Sequence, residues 1–377
     1  MMYFLFLIIL ILVIFYFGFL GQVYFGLRSL NRKRRGTDKK YFVSIIVPFR
    51  NESEVIVDCL RSLECQAYPK DHYEIIFIDD FSNDDSAQKL NSEKTLPNTQ
   101  VISVPDGYKK MSPKKRGIKY GIDHAKGEII VTTDADCVHP KVWLETMISA
   151  FDEQTGFVSG PVRFSDSNLL FNKIQQLEFG GLVLTGAGLI GSDKPTICNA
   201  ANIAFKKEAF EYVNGYEDNQ HLSSGDDEFL MQKIAKSKKY EVQFMLSEHA
   251  VVETQANRTI DGFIQQRKRW ASKGLFYNDK TLILKLIMIY LFFVSLPLQL
   301  LLGITFNLIF VYSFSSLVLL KGIIEYFIMR KGIPLLFKNI NYKVFIISEI
   351  LHIPYIIYAG IAGAFGNFEW KGRNLKR

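Results

Sequence analysis

Residues 43–52 read Val43-Ser44-Ile45-Ile46-Val47-Pro48-Phe49-Arg50-Asn51-Glu52, an apolar and β-branched run that ends in charged side chains. A short run of this kind, closed by Pro and polar residues, is typical of a buried strand. Residues 73–78, 101–104 and 128–133 repeat the pattern, and helical spacing of apolar residues over 54–66 and 112–125 separates some of these runs. The alternation predicts an α/β domain with a mostly parallel sheet.

Polar clusters follow three of the predicted strands. They are Arg50-Asn51-Glu52, Asp79-Asp80 and the pair Asp134 and Asp136. In parallel α/β sheets ligands bind outside the carboxyl ends of the strands, so we expect these clusters to form one site. An Asp-x-Asp pair suits Mg²⁺, which proteins hold through one or two carboxylates together with substrate phosphates. Taken alone, each acidic cluster is also a common surface turn.

Two further motifs lie nearer the C-terminus, and each has two interpretations. Gly225-Asp226-Asp227-Glu228 precedes an apolar helix over 229–235; it is either a helix N-cap or the source of a general base for an acceptor hydroxyl. Gln265-Gln266-Arg267-Lys268-Arg269-Trp270 precedes an apolar block. It is either a juxtamembrane basic patch with an interfacial Trp, or a site where Arg269 binds diphosphate and Trp270 supports a sugar.

Two long apolar stretches predict membrane-spanning helices. Residues 3–27 carry no charged side chain and are followed by a run of basic residues. About 20 apolar residues cross a bilayer, so we expect this stretch to be a retained anchor, and the positive-inside rule predicts that the chain from residue 40 onward lies in the cytoplasm. Residues 282–329 suit two spans with a turn near 303–307.

A third apolar stretch, residues 344–365, contains Glu349, His352 and Pro354 and either spans the membrane or is re-entrant. If it spans, the basic tail at 370–377 lies outside. If instead one C-terminal segment lies in the interface, the tail is cytoplasmic, which the positive-inside rule favours.

Composition excludes several classes of protein. Of the 377 residues, 48% are hydrophobic and 22% charged, with 31 Phe and 18 Tyr, which excludes a disordered chain. Four cysteines without a CxxC pair predict neither a disulfide scaffold nor a zinc site, and Cys137 is expected to be a small buried side chain. The net charge of +7 comes from basic residues beside the apolar stretches, so we expect anionic lipid rather than nucleic acid as the partner.

Together, the order and spacing of these motifs resemble the family 2 glycosyltransferases with a GT-A fold, over residues 43–274. The resemblance includes Lys114-Lys115-Arg116-Gly117, and Gln266-x-x-Arg269-Trp270 matches a box found in membrane-bound synthases and ceramide-glucosyltransferase-like enzymes. It implies a Rossmann-like mixed sheet flanked by helices, plus transmembrane helices, and an inverting transfer of a sugar from a nucleotide-sugar, with UDP-sugars favoured. The expected organisation is an anchor (1–27), a basic linker (28–40), a cytoplasmic GT-A catalytic domain (41–275), a membrane region of two to three segments (281–366) and a basic tail (367–377).

The resemblance also implies roles for individual residues. Pro48, Glu52 and Asp80 would line the nucleoside pocket, and Lys114, or Lys115 as the alternative, would lie near the phosphates. Asp134 and Asp136 would bind Mg²⁺ or Mn²⁺, with Asp136 the surer ligand, and Gln266, Arg269 and Trp270 would complete the donor site. Asp227 would be the catalytic base, with Asp226 as the alternative. Asn202, in a segment (198–205) that resembles the family's acceptor-side strand, either contacts the donor sugar or is a satisfied turn residue.

The sequence favours one kind of acceptor and leaves two alternatives. A lipid-linked acceptor is favoured because the membrane part is small, and Tyr277 with the apolar stretch after it could present a lipid head group. The alternatives are a processive polysaccharide synthase and, in another class, a catalytically inactive membrane scaffold of the same fold. The expected location is the bacterial inner membrane.

Overall fold

The computed structural model describes residues 2–30, 39–222, 225–277, 279–332, 335–336, 341–365, 368–370 and 373–375. Most of the predicted basic linker, residues 31–38, lies outside the described residues, as do residue 366 of the predicted membrane region and residues 367, 371–372 and 376–377 of the predicted tail.

Helices and strands alternate through the middle of the chain, between apolar helices at either end. The helices are α1 (Met2–Leu30), α2 (Ile56–Glu64), α3 (Ser86–Glu93), α4 (Pro113–His124), α5 (Trp143–Ile148), α6 (Leu170–Gly191), α7 (Lys207–Tyr212), α8 (Glu228–Lys236), α9 (Ile260–Ser272), α10 (Lys280–Thr305), α11 (Ile309–Arg330) and α12 (Tyr342–Phe365). The strands are β1 (Val43–Phe49), β2 (Tyr73–Asp79), β3 (Thr99–Ser103), β4 (Ile129–Thr132), β5 (Thr155–Ser159), β6 (Val162–Phe164), β7 (Ile203–Lys206), β8 (Glu241–Phe244), β9 (Val252–Thr254), β10 (Phe368–Trp370) and β11 (Arg373–Leu375).

The central sheet has seven strands in the order β3-β2-β1-β4-β7-β5-β8. β1 pairs in parallel with β2 and β4, and β2 pairs in parallel with β3, as the alternating pattern predicts. β7 runs antiparallel to both of its neighbours, so the sheet is mixed. The predicted α/β fold with a mixed sheet flanked by helices is confirmed.

Helix α4 lies unusually close to strand β1, which fixes the position of its first turn. A Cβ atom on Gly121 would lie 2.6 Å from Ile46 Cγ2, and one on Gly117 would lie 3.1 Å from Pro48 Cβ. Only glycine allows this approach without displacing the strand. The side chains at the start of α4 are thereby brought to the carboxyl end of β1.

One predicted element differs from the structure. The segment expected as a strand over 198–205 is extended only from Ile203, in β7, because residues 200–202 form a 3₁₀ turn. The turn is closed by the Asn199 side chain, which accepts a hydrogen bond from the Ala201 N–H at 2.9 Å.

Among the residues that the structure describes, four helices are long and apolar enough to cross a membrane: α1, α10, α11 and residues 342–364 of α12. At one end of the bundle Phe6 stacks on Phe310, with ring centroids 4.9 Å apart, close to the turn at 306–308 between α10 and α11. Nearer its middle, Tyr16 stacks on Phe292 at 4.1 Å. At the other end the helices adjoin the α/β domain, where α1 packs along α6 so closely that Gly26, Gly188 and Gly191 leave no room for a Cβ atom.

Candidate active site

A cavity of 870 Å³ opens at the carboxyl ends of β1, β2 and β4. Eleven of the residues that sequence reasoning selected for catalysis, metal binding or donor binding line it: Pro48, Glu52, Asp80, Lys114, Asp134, Asp136, Asp226, Asp227, Gln266, Arg269 and Trp270. The same cavity continues between the apolar helices, where Phe19, Leu20 and Ile356 contribute to its wall.

The loops that follow β1 and β2 are tied together at the mouth of the cavity. Asn51 and Phe81 both adopt positive φ angles, of 53° and 61°, so each strand turns sharply at its end. Arg50 Nη1 donates to the backbone oxygens of Asp80, at 3.1 Å, and of Phe81, at 2.6 Å. This cross-link holds Glu52 and Asp80 at the same edge of the sheet.

Asp80 forms a buried, bidentate ion pair. Its carboxylate accepts hydrogen bonds from Arg116 Nε and, at 2.9 Å, from Arg116 Nη2, and both side chains are almost inaccessible. Arg116 was not assigned a role from the sequence, although it lies within the predicted Lys114–Gly117 motif. A bidentate pair of this kind fixes the carboxylate orientation.

The two carboxylates of the Asp-x-Asp pair differ in their partners. Asp134 Oδ1 accepts a hydrogen bond from Lys114 Nζ at 2.5 Å, and the Asp134 side chain is 34% exposed. Asp136 Oδ2 accepts from Thr254 Oγ1 at 3.1 Å, and its Oδ1 lies 3.7 Å from the Cys137 thiol. Cys137 is fully buried, as expected for a small packing residue. Two hard oxygen donors facing one cavity fit a Mg²⁺ or Mn²⁺ ion.

The structure distinguishes between Lys114 and Lys115, the two lysines that the sequence leaves as alternatives. Lys114 faces the cavity, and its Nζ lies 3.8 Å from Asp226 Oδ2. Burial disfavours the charged form of Lys114, but the carboxylates of Asp134 and Asp226 outweigh this and raise the pKa of Lys114 well above its usual range. Lys115 points the other way and donates to the backbone oxygens of Asn219, at 2.7 Å, and Leu222, at 3.0 Å. Lys115 does not line the cavity.

The adjacent carboxylates of Asp226 and Asp227 are held very differently. Asp227 caps α8: its Oδ1 accepts from the Glu228 N–H at 2.7 Å, and its Oδ2 accepts from the Ala200 N–H at 2.8 Å. Asp226 Oδ2 is buried without a hydrogen-bond partner among the described residues. Burial raises the pKa of Asp226, the nearby Lys114 opposes that effect, and Asp227 adds to it. The motif is thus both an N-cap and a pair of carboxylates lining the cavity.

A buried network beside this motif was missed by sequence reasoning. Glu228 Oε2 accepts from Tyr277 Oη at 2.6 Å, and its Oε1 lies 3.0 Å from Lys273 Nζ. Burial raises the pKa of Glu228, and Lys273 counteracts this rise. Tyr277, which with the apolar stretch after it could present a lipid head group, lines the cavity and donates its hydroxyl proton to Glu228.

Helix α9 presents Gln266, Arg269 and Trp270 to the cavity and is anchored by the residue between them. Arg267 is buried, pairs with Glu178 of α6 through two guanidinium nitrogens, and lies 4.2 Å from the Trp270 ring centroid. Burial lowers the pKa of Arg269, and the carboxylates of Asp134, Asp226 and Asp227 counteract this. Glu178 had no signal in the sequence, since it lies 89 residues before its partner.

Asn202 is a satisfied turn residue. Its Nδ2 donates to the backbone oxygens of Pro161 and Ala250, both at 2.8 Å, and its Oδ1 accepts from Trp143 Nε1 at 3.0 Å. The side chain is fully buried and does not line the cavity, so of the two interpretations left open by the sequence the structure agrees with the satisfied turn residue.

Comparison with protein families gives two matches. The model for glycosyl transferase family 2 matches residues 44–213, and the model for glycosyl transferase family group 2 matches residues 129–348. Among curated proteins, the glycosyltransferase AglE of Haloferax volcanii is 27% identical over 188 residues, covering 49% of this chain and 59% of that protein. An undecaprenyl-phosphate 4-deoxy-4-formamido-L-arabinose transferase of Enterobacter sp. is 31% identical over 133 residues, covering 35% of this chain and 39% of that protein. The matched region thus spans less than two thirds of the length of each of these relatives.

Among solved structures, the mannosyltransferase PcManGT from Pyrobaculum calidifontis, in complex with GDP-Man and Mn²⁺, is similar to this chain with a TM-score of 0.57. The similarity covers 95% of this chain and 98% of the other at 19% identity. At that identity the comparison establishes a shared fold.

Proposed function

Because the chain belongs to glycosyl transferase family group 2, we propose that it transfers a sugar, with inversion, from a nucleoside diphosphate sugar to a hydroxyl group of a membrane lipid. The observation that carries the proposal is the single cavity that joins the carboxylates at the strand ends to the space between the apolar helices. Such a cavity would hold a water-soluble donor at one end and a lipid at the other.

The charge of the cavity supports a donor that arrives with a divalent cation. On the domain side, acidic side chains outnumber basic ones among the residues that line it. A bare diphosphate would be repelled there, whereas Asp134 and Asp136 would hold a Mg²⁺ or Mn²⁺ ion that accompanies the donor. When bound, the ion would neutralise charge on the leaving diphosphate. Lys114 and Arg269 would add positive charge on the same side.

The same acidic surroundings favour a neutral acceptor hydroxyl over a lipid phosphate. In the reaction we propose, Asp227 accepts the hydroxyl proton while the acceptor oxygen attacks the anomeric carbon. The bond between that carbon and the diphosphate oxygen breaks on the opposite face, which inverts the configuration. Two backbone N–H groups hold the Asp227 carboxylate in one orientation, as a positioned general base requires.

The location that fits this function is a bacterial inner membrane with the α/β domain in the cytoplasm, where nucleotide-sugars are made. The apolar helices support a membrane protein. Arg28 at the end of α1 lies on the domain side of the first helix, in agreement with the positive-inside rule.

The test is release of nucleoside diphosphate by the full-length protein in detergent with Mg²⁺ or Mn²⁺. UDP-sugars and then GDP-sugars are offered with neutral lipids, with polyprenyl phosphate, or without lipid. We expect release that depends on neutral lipid, is abolished in Asp136→Asn, and persists in Asp71→Asn, a matched control on an exposed turn.

Three other outcomes would each overturn a part of the proposal. Release only with polyprenyl phosphate would replace the hydroxyl acceptor with a phosphate. Release without lipid, with a growing polymer as product, would indicate a processive synthase. Absence of release with every donor, together with absence of metal-dependent nucleotide binding, would indicate an inactive scaffold.

A further inference from the structure

Helix α12 is long and apolar enough to span a membrane, yet both of its ends contact the side of the bundle that adjoins the α/β domain. We infer that α12 is a re-entrant helix, which enters the domain-side leaflet and returns to the same surface. Its outer face would contact the acyl chains of that leaflet, and its inner face would close the membrane part of the cavity. The inference concerns membrane topology and does not depend on the proposed transfer reaction.

The first end of α12 lies beside the last turns of α11. Tyr326 Oη lies 3.0 Å from Tyr342 Oη, and the Tyr326 ring packs against Phe345 with centroids 5.5 Å apart. This end of α11 adjoins the domain, because Lys331 Nζ lies 5.6 Å from the ring centroid of Tyr24, near the domain-side end of α1.

The second end of α12 returns to the same side. A Cβ atom on Gly363 would lie 2.4 Å from Ala271 Cβ, in helix α9 of the domain. Six residues earlier, Tyr290 Oη donates to the Ile357 backbone oxygen at 3.2 Å, and Tyr290 lies in the first half of α10, which begins at the domain. A spanning helix would instead end beside the turn at 306–308.

The middle of α12 marks how deep the helix reaches. Glu349 Oε2 lies 2.6 Å from Lys321 Nζ, and Lys321 lies nine residues before the end of α11 at Arg330. At 1.5 Å per residue, this places the pair about 14 Å from the domain-side end, roughly half of the ~30 Å hydrocarbon thickness. Pro354 follows within the helix.

The two faces of α12 match this arrangement. Ile346, Ile350, Tyr358 and Ile361 form an exposed stripe on one face. Glu349 and His352 lie on the opposite face and line the cavity. A helix in one leaflet that separates lipid from a polar cavity needs this division of side chains.

Spin-label distances test the inference in the full-length protein in lipid nanodiscs. In a Cys65→Ser background, which removes the exposed native cysteine, Asn307→Cys at the α10–α11 turn is paired with Lys343→Cys or with Ile361→Cys. All three positions are exposed, so the variants are expected to fold. A re-entrant α12 gives two similar distances, each about 25–30 Å, since about 17 helical residues separate either end from the turn. An Asn307–Ile361 distance of about 10–15 Å with a long Asn307–Lys343 distance would establish a span and overturn the inference.

A reporter in cells gives a second, independent readout. Green fluorescent protein or alkaline phosphatase is appended to the full chain after Arg377, because the former fluoresces only in the bacterial cytoplasm and the latter is active only outside it. With the domain cytoplasmic, we expect fluorescence without phosphatase activity. The reverse pattern, in a chain whose domain is shown to be cytoplasmic by protease protection, would overturn the inference.

Discussion

The assignment of the catalytic base can be tested by comparing Asp227→Asn with Asp226→Asn. The two carboxylates are adjacent and both line the cavity, but only Asp227 is held by two backbone N–H groups. Replacing one carboxylate oxygen of Asp227 by an amide nitrogen removes the base. It also leaves either the Ala200 or the Glu228 N–H facing a donor rather than an acceptor.

Two effects of Asp227→Asn follow, and their magnitudes differ. Loss of a general base lowers kcat by about 10²- to 10⁴-fold, which corresponds to roughly 3–5 kcal/mol in the activation barrier. Loss of one hydrogen bond to a charged group lowers the free energy of unfolding by about 1.5–3 kcal/mol. The fall in kcat must therefore be measured at a temperature where the variant is still folded.

Asp226→Asn is the matched comparison because Asp226 Oδ2, although 3.8 Å from Lys114 Nζ, has no hydrogen bond to lose among the described residues. Burial raises the pKa of Asp226, so the folded state binds that proton more tightly than the unfolded state does. Ionisation of Asp226 therefore lowers the free energy of unfolding increasingly as the pH rises above about 4, the usual pKa of an Asp carboxyl. Asp226→Asn should be at least as stable as the wild type at pH 7, and the difference in stability between the two proteins should be smaller at pH 4. The substitution should raise the donor KM more than it lowers kcat.

The assay is steady-state release of nucleoside diphosphate at saturating donor, with thermal melting and donor binding measured on the same preparations. A folded Asp227→Asn protein that binds donor and keeps wild-type kcat, beside an Asp226→Asn protein that loses turnover, would refute the assignment and transfer the role of base to Asp226.

Three further predictions concern lysines. Lys114→Met removes the cation between Asp134 and Asp226, so the donor KM should rise about 10- to 100-fold in initial-rate assays, and an unchanged KM would exclude contact with the phosphates. Burial lowers the pKa of Lys115 to about 8, so between about pH 8 and 10.5 only the unfolded state holds the proton, and folding stability should rise with pH. Denaturant titrations should show this rise in the wild type and its loss in Lys115→Met. Lys321→Met leaves Glu325 and Glu349 without their buried ammonium group and should lower the free energy of unfolding by about 3–5 kcal/mol. In thermal melts, adding Glu325→Gln and Glu349→Gln should recover most of this loss, whereas equal melting of the wild type and Lys321→Met would show that the cluster is hydrated.

The part of the site at the carboxyl ends of the parallel strands could be predicted from the sequence. Parallel strands bring their carboxyl ends to one edge, so clusters after β1, β2 and β4 had to meet once the strands were identified from their apolar runs. The sheet could not be predicted beyond β4, because β7 is short and runs antiparallel, and nothing local to residues 203–206 gives its direction.

Which of two neighbouring residues faces the cavity depends on how the helices pack, and this cannot be predicted from the sequence alone. Lys114 and Lys115 have the same chemistry and lie next to each other, but a rotation of 100° along α4 turns one toward Asp134 and the other toward the backbone at Asn219. Partners far apart in sequence were missed for a related reason. Glu178 and Arg267, or Glu228 and Lys273, meet only because α6, α8 and α9 converge on the cavity.

Hydropathy counts apolar residues but carries no information on what the ends of a helix contact, and α12 shows the consequence. Its length and composition satisfy the criterion for a span as well as those of α11 do. The difference lies in its polar residues: Lys321 of α11 pairs with Glu349, while Tyr355 Oη donates to Glu178 of the domain at 3.0 Å. These bonds join α12 to the middle of one membrane helix and to the domain within six residues, about 9 Å along its axis. Only ten helical residues follow Tyr355, about 15 Å of helix, which is too short to reach the far surface of a hydrocarbon layer ~30 Å thick. The residues that form these bonds, Glu349, Tyr355 and Glu178, also line the cavity.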